Sequence, residues 1–148
     1  MNGFSHVCRL IVLVAILSPV ARGDEPFRFE PDGDKALKLL EGDLPVLVYN
    51  FGVLLKEGAP AKFARSTYIH PLYGLDGEVI TDDFPKDHYH HRGLFWAWPH
   101  VRIGDKEYDL WAISGIVQKF ERWLGRRTEG DVAVLGVENG WYVGETKV

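Results

Sequence analysis

The sequence predicts an all-β fold, a sandwich or barrel of short antiparallel strands. Three observations predict it. Turn-forming glycine, asparagine and aspartate residues cut the chain into short segments, most of them too brief for helices. The segments between those turns are rich in aromatic and β-branched residues, which suit a pleated, half-buried surface. No segment shows an unambiguous 3.6-residue apolar period, and about eight or nine short strands fit the pattern.

Taken in order, Asp24 to Asp34 (DEPFRFEPDGD) reads as a polar lead-in with two prolines, ahead of a β-rich domain over 35–148. Ala36 to Glu41 and Leu44 to Phe51 flank Gly42-Asp43, which predicts a tight hairpin. Lys56 to Ala64 reads as a loop, and Ser66 to His70 and Glu78 to Thr81 as short strands. Leu94 to Ile103 is a strongly aromatic strand that Gly104-Asp105-Lys106 turns into Glu107 to Ile113. Ile116 to Leu124 fits both periods, but its β-rich neighbours and the glycines at 125 and 130 favour a strand. Val132 to Glu138 and Trp141 to Thr146 form a last pair around Asn139-Gly140, a dipeptide typical of two-residue turns.

Residues 1–23 have the physics of a cleavable secretory signal. A short start ending in Arg9 precedes the apolar run Leu10 to Leu17, and Ala21-Arg22-Gly23 places small residues before a cut at Asp24. The run is shorter than the roughly 20 residues a spanning helix needs. No later segment is long or apolar enough to span. An exported protein, periplasmic or extracellular, is therefore expected, with no membrane association after cleavage.

Cys8, the one cysteine, leaves with the signal, so neither a disulfide framework nor a thiolate metal site is expected in the remaining 125 residues. Cleavage removes Arg9 and Arg22 but no acid, leaving 15 basic and 21 acidic residues and a net charge of −6 with histidine neutral. An acidic chain without a basic stripe argues against nucleic acid and anionic membranes as partners. The open-ended look of the last hairpin, closing on Lys147-Val148, further suggests a copy shorter than its relatives.

The chemistry concentrates in Asp87-His88-Tyr89-His90-His91-Arg92, which holds three of the five histidines after the signal. Gly93 follows, permitting a backbone conformation or close approach that a side chain would forbid. In an extended segment His88 and His90 share one face and His91 takes the other. His88 and His90 are then positioned to bind one divalent metal ion, with Asp82, Asp83, Asp87 or His70 as third ligand. A metal-free alternative makes one histidine a base oriented by an aspartate. Its polar substrate lies over Trp96 or Trp98, whose alternating positions share a face. Arg92 has a planar fork suited to a carboxylate or a pair of sugar hydroxyls. A third alternative has the histidines tying down a loop through backbone hydrogen bonds. Tyr68, Tyr73, Phe95, Trp96, Trp98 and Trp111 read first as core aromatics, with one face of the strand carrying Trp96 and Trp98 able to line a pocket.

The run from Arg65 to Trp98 (RSTYIHPLYGLDGEVITDDFPKDHYHHRGLFWAW) resembles the bacterial family of unknown function labelled "methane oxygenase PmoA". The shared positions are Arg65, Tyr68 to Tyr73, Gly77, Asp83 to Pro85, Asp87-His88, His90 to Phe95, Ala97 and Trp98. Weaker similarity continues through Trp111 and Asn139 to Thr146. The resemblance implies an exported antiparallel β-sandwich, half of a larger mutarotase-like sandwich, from a family associated with carbohydrate use. A membrane oxygenase subunit, by contrast, would be a bundle of apolar helices. The leading expectation is a carbohydrate-active protein with His70, His88, His90 and His91 as catalytic groups. Arg92, Asp87, Trp96, Trp98 and Tyr68 would bind the sugar, and His88, His90 and Asp83 any metal. A non-catalytic sugar- or protein-binding module and a metal-dependent oxygenase are the alternatives.

Overall fold

The computed structural model describes residues 26–148. The signal at 1–23 lies outside the described residues. Ten strands follow one another: β1 Phe27–Asp32, β2 Ala36–Glu41, β3 Leu44–Asn50, β4 Tyr68–Leu72, β5 Leu94–Phe95, β6 Val101–Ile103, β7 Lys106–Tyr108, β8 Val117–Glu129, β9 Val132–Val143 and β10 Thr146–Lys147. Among the described residues a 3-10 turn at Ala61–Phe63 is the only helical piece. Every strand pairing is antiparallel, so the all-β expectation holds.

Three sheets result. A five-stranded sheet runs β1-β2-β3-β4-β5, a three-stranded one β10-β9-β8, and β6 pairs with β7. β2 is central enough to be buried on both faces, with Ala36, Leu37, Leu39 and Leu40 all buried. Each such leucine contributes about 1.5–3 kcal/mol of apolar transfer free energy. The larger sheet meets the second through aromatic rings. Phe51 lies 5.2 Å from Phe120 and 5.3 Å from Trp123, and Tyr49 lies 6.0 Å from Trp123. The Tyr49 hydroxyl also donates to Asn139 Oδ1 at 3.2 Å, joining β3 to β9. A smaller core of Val101, Leu110 and Ile116 sits under the β6–β7 ribbon against Trp141 and Val143.

Several elements differ from expectation. Part of the polar lead-in is strand β1: Phe27 and Phe29 are half-buried while Arg28 and Glu30 face solvent. Pro31 is tolerated because β1 is an edge strand, where a missing N–H costs no ladder bond. Asn139-Gly140 is not a turn but lies within β9, paired with Phe120 and Lys119. The reversal comes earlier, at Gly130-Asp131, where Gly130 takes φ +52° between paired Glu129 and Val132. β8 runs through Gly125 by a register shift rather than ending there. Glu78 to Thr81 forms no strand, only a Tyr73–Val79 bridge. The strand expected over Leu94 to Ile103 is broken between Phe95 and Val101, and the one expected from Glu107 to Ile113 stops at Tyr108.

Candidate functional site

The segment between β4 and β5 is a loop whose ends are locked together. Asp83 and Arg92 form a backbone bridge at its neck, and their side chains meet there too. Arg92 Nε donates to Asp83 Oδ1 at 2.6 Å, Nη1 to the Phe63 carbonyl at 3.1 Å, and Nη2 to the Tyr68 hydroxyl at 2.5 Å. The Tyr68 hydroxyl donates in turn to Asp83 Oδ2 at 3.3 Å. The guanidinium lies 3.2 Å from the centre of the Phe84 ring and 4.5 Å from that of Tyr68. Arg92 is 0% exposed. Burial pushes the Tyr68 hydroxyl up to about 12 despite the neighbouring guanidinium, so it stays protonated as a donor.

This geometry corrects two expectations. Arg92 and Tyr68 are inside the protein, facing Asp83 rather than a sugar. Asp83 is spent on both of them, so it does not join His88 and His90 as a metal ligand. Among the described residues, no three His, Cys, Asp or Glu side chains are arranged to hold a metal ion.

Within the loop the chain is turned, not extended. His88 N donates to the Pro85 carbonyl at 3.0 Å and His91 N to the His88 carbonyl at 2.9 Å. Two successive turns therefore bring all three imidazoles together, His91 included, where an extended segment would have sent it to the opposite face. His88 and His91 stack with centroids 4.9 Å apart and planes 15° apart, and His90 meets them edge-on at 5.7 and 4.4 Å. Asp87 Oδ2 accepts from His88 Nδ1 at 3.0 Å, which orients that imidazole. The same hydrogen bond holds the Asp87 carboxyl below its ordinary value.

Trp111 completes the cluster, its ring 5.4 Å from His91, 6.3 Å from His90 and 5.1 Å from Phe95. It is 40% exposed, so it is a platform beside the histidines and not a core residue. Arg65 was also missed as a site residue. Its guanidinium donates to the His90 carbonyl at 3.4 Å and to the carbonyls of Leu110 and Trp111, and lies over the Phe95 ring. It thereby ties the histidine loop to the segment bearing Trp111. Only its position at the head of the resembling run hinted at this.

The remaining expected residues lie elsewhere. His70 does not join the stack; its Nδ1 is 2.9 Å from Thr81 Oγ1. It lines an open groove of about 380 Å³ with Leu54, Leu55, Lys56, Asp83 and Phe84. Trp96 and Trp98 are 69% and 50% exposed, their rings edge-to-face at 5.8 Å. The alternation expected of them survives although strand β5 ends at Phe95.

Partial burial, followed by the charges of His91, His88 and Arg65, lowers the His90 imidazole below its ordinary 6.5. The fold thus favours neutral His90. The unfolded chain takes up the proton first, so this contribution to stability is present above the unfolded value and lost as pH falls through the lower folded one. Urea midpoints are expected to fall between pH 7.5 and pH 5, and to fall less in His90→Gln. An equal fall in both proteins would show that His90 is not responsible.

Fold and site together define an all-β protein of antiparallel sheets bearing a compact histidine loop on a buried Arg–Asp–Tyr frame. Residues 36–148 match the model of a family of unknown function, DUF6807, and the chain belongs to that family. Comparisons with curated proteins and with solved structures give no match.

Proposed function

We propose that this is an exported carbohydrate-active protein that takes a sugar or glycoside at the histidine loop. The observation that carries the proposal is the grouping of three imidazoles against the exposed face of Trp111. A sugar ring presents C–H groups on one face and hydroxyls around its edge. Trp111 suits the first, and the imidazole nitrogens suit the second. Asp87 and His88 form an oriented acid–base pair, and His90, kept neutral, is a second base. Trp96 and Trp98 offer another aromatic surface for a longer glycan. The likeness of Arg65 to Trp98 to the PmoA-labelled family, associated with carbohydrate use, supports the same reading.

A non-catalytic binding module is the second reading, and one observation favours it. Among the described residues Asp87 is the one carboxylate paired with a histidine of the loop, whereas most glycoside hydrolases use two carboxyl groups flanking the scissile bond. Saturable sugar binding with no product after long incubation would select this alternative.

Calorimetric titration with a panel of mono- and oligosaccharides tests the proposal. His90→Ala and His91→Ala are expected to weaken binding at least tenfold, about 1.4 kcal/mol, with unchanged circular dichroism. Two folded variants with undiminished affinity would overturn it. Two unfolded variants would make the cluster structural.

A further inference from the structure

A second cavity, of about 150 Å³, is lined in part by Arg65, the residue that holds the His90 carbonyl. Val53, Ala64, Leu110, Ile113, Ile116 and Val117 give it mainly apolar walls. An apolar cavity of this size accommodates a benzene-sized body. Its lining also contains Arg65, Ser66, Gln118 and Lys119 but no acid. Lys119 is already committed, its Nζ 3.4 Å from Glu145 and over the Tyr142 ring.

Arg65 is different. It is only partly buried, but among the described residues no carboxylate lies within salt-bridge distance of it, although a shielded cation is ordinarily paired with one. The nearby Asp109 carboxylate instead accepts from Ala112 N at 2.9 Å. The bonds that Arg65 does make go to the carbonyls of His90, Leu110 and Trp111 through Nη1 and Nη2. A guanidinium has five N–H donors, so Nε and part of Nη1 are left over. Burial lowers its pKa to about 10, which still leaves it charged at neutral pH.

A second observation points to the same place. Ile113, in the cavity wall, has φ +57°, a left-handed conformation that is an outlier for a β-branched residue. Strain of this kind persists only where surrounding structure imposes it, and it gathers at ligand sites.

We propose that this cavity binds a small monocarboxylate with an apolar body, its carboxylate on Arg65 and its ring or short chain among the aliphatic walls. The proposal does not rest on sugar binding at the histidine loop, although Arg65 touches both places. Because Arg65 grips the His90 carbonyl and the Trp111 segment, an occupant is placed to shift both.

Benzoate and its neutral counterpart benzyl alcohol are the probes, followed by calorimetry and by amide chemical shifts of the whole chain. Benzoate is expected to bind saturably, and benzyl alcohol at least tenfold more weakly. The shifts should centre on Val53, Arg65, Ile113 and Val117. Val117→Phe, which fills the cavity and leaves Arg65 in place, is expected to abolish binding, and Arg65→Gln to reduce benzoate to the level of the alcohol. Equal affinity for the two probes, undiminished benzoate binding in folded Val117→Phe, or shifts centred elsewhere would overturn the proposal. Should Arg65→Gln fail to fold, the wild-type comparison of the two probes and Val117→Phe still decide it.

Discussion

Arg92→Met is expected to lose about 3–5 kcal/mol of stability, the cost of stranding one partner of a buried ion pair. Whole domains are stable by only about 5–15 kcal/mol, so the variant should be at best marginally folded. The loss has identifiable parts. Asp83 loses the Nε donor at 2.6 Å, the Phe63 carbonyl loses a partner at 3.1 Å, and the Tyr68 hydroxyl loses one at 2.5 Å. The flat guanidinium that fills the space beside Phe84 also goes. A lysine lacks the planar fork and cannot reach three acceptors in those directions, so Arg92→Lys should be nearly as damaging. The double variant Asp83→Leu/Arg92→Met removes both charges together and is expected to recover most of the loss. Urea unfolding followed by circular dichroism measures all three. If Arg92→Met cost less than about 1 kcal/mol, the range of an exposed pair, or if the double variant were no better than the single, the buried-pair account would be wrong. Sugar binding should fail in Arg92→Met as well, because the pair closes the neck of the histidine loop.

That frame was only half legible in the sequence. The sequence offered Tyr68 and Arg92 as sugar-binding residues and Asp83 as a metal ligand, because arginine at a motif reads equally as a ligand fork or a buried strut. Burial decides between them, and burial here depends on Phe63 and Phe84 arriving from separate segments. The tight turn at Gly42-Asp43 and the strand nature of Val117 to Leu124 follow from local chemistry and neighbouring pattern, and both are seen. Asn139-Gly140 failed for a tertiary reason: Asn139 accepts from Tyr49 across the sheets, and the strand continues. The period-2 alternation of β1 was present in Phe27-Arg28-Phe29-Glu30 but was masked by the flanking prolines. His91 was assigned to the wrong face because an extended backbone was assumed where two turns occur. Trp111 was hidden because a strand was expected to run on past Tyr108 into the segment that carries it. The density of histidines at 88, 90 and 91 was therefore readable, whereas their mutual geometry and the neighbouring Trp111 and Arg65 were set by contacts distant in sequence.

Gly93→Ala should be the most damaging single methyl group in the described chain. Gly93 has φ +47°, and placing a side chain in the left-handed region costs about 1–2 kcal/mol by itself. Space adds a second penalty. A Cβ at this position would be driven into the backbone carbonyl oxygen of Ile69 and would approach His70 Cβ to 2.8 Å. No rotamer change relieves overlap with a carbonyl, so β4 must shift relative to the loop. That shift strains the Ile69–Leu94 and Tyr68–Phe95 pairing that makes β5 part of the sheet, and the bond from Gly93 N to the Asp82 carbonyl at 2.8 Å. Gly104→Ala separates the two penalties. Gly104 has φ +59° but open space around the added Cβ, so it should lose the conformational cost alone. Thermal and urea unfolding are expected to rank wild type above Gly104→Ala and that variant well above Gly93→Ala. The same order should appear in sugar affinity, since only Gly93 adjoins the Asp83–Arg92 neck. Equal losses in the two variants would mean that backbone conformation, not the close approach to Ile69, is why glycine stands after the histidine motif.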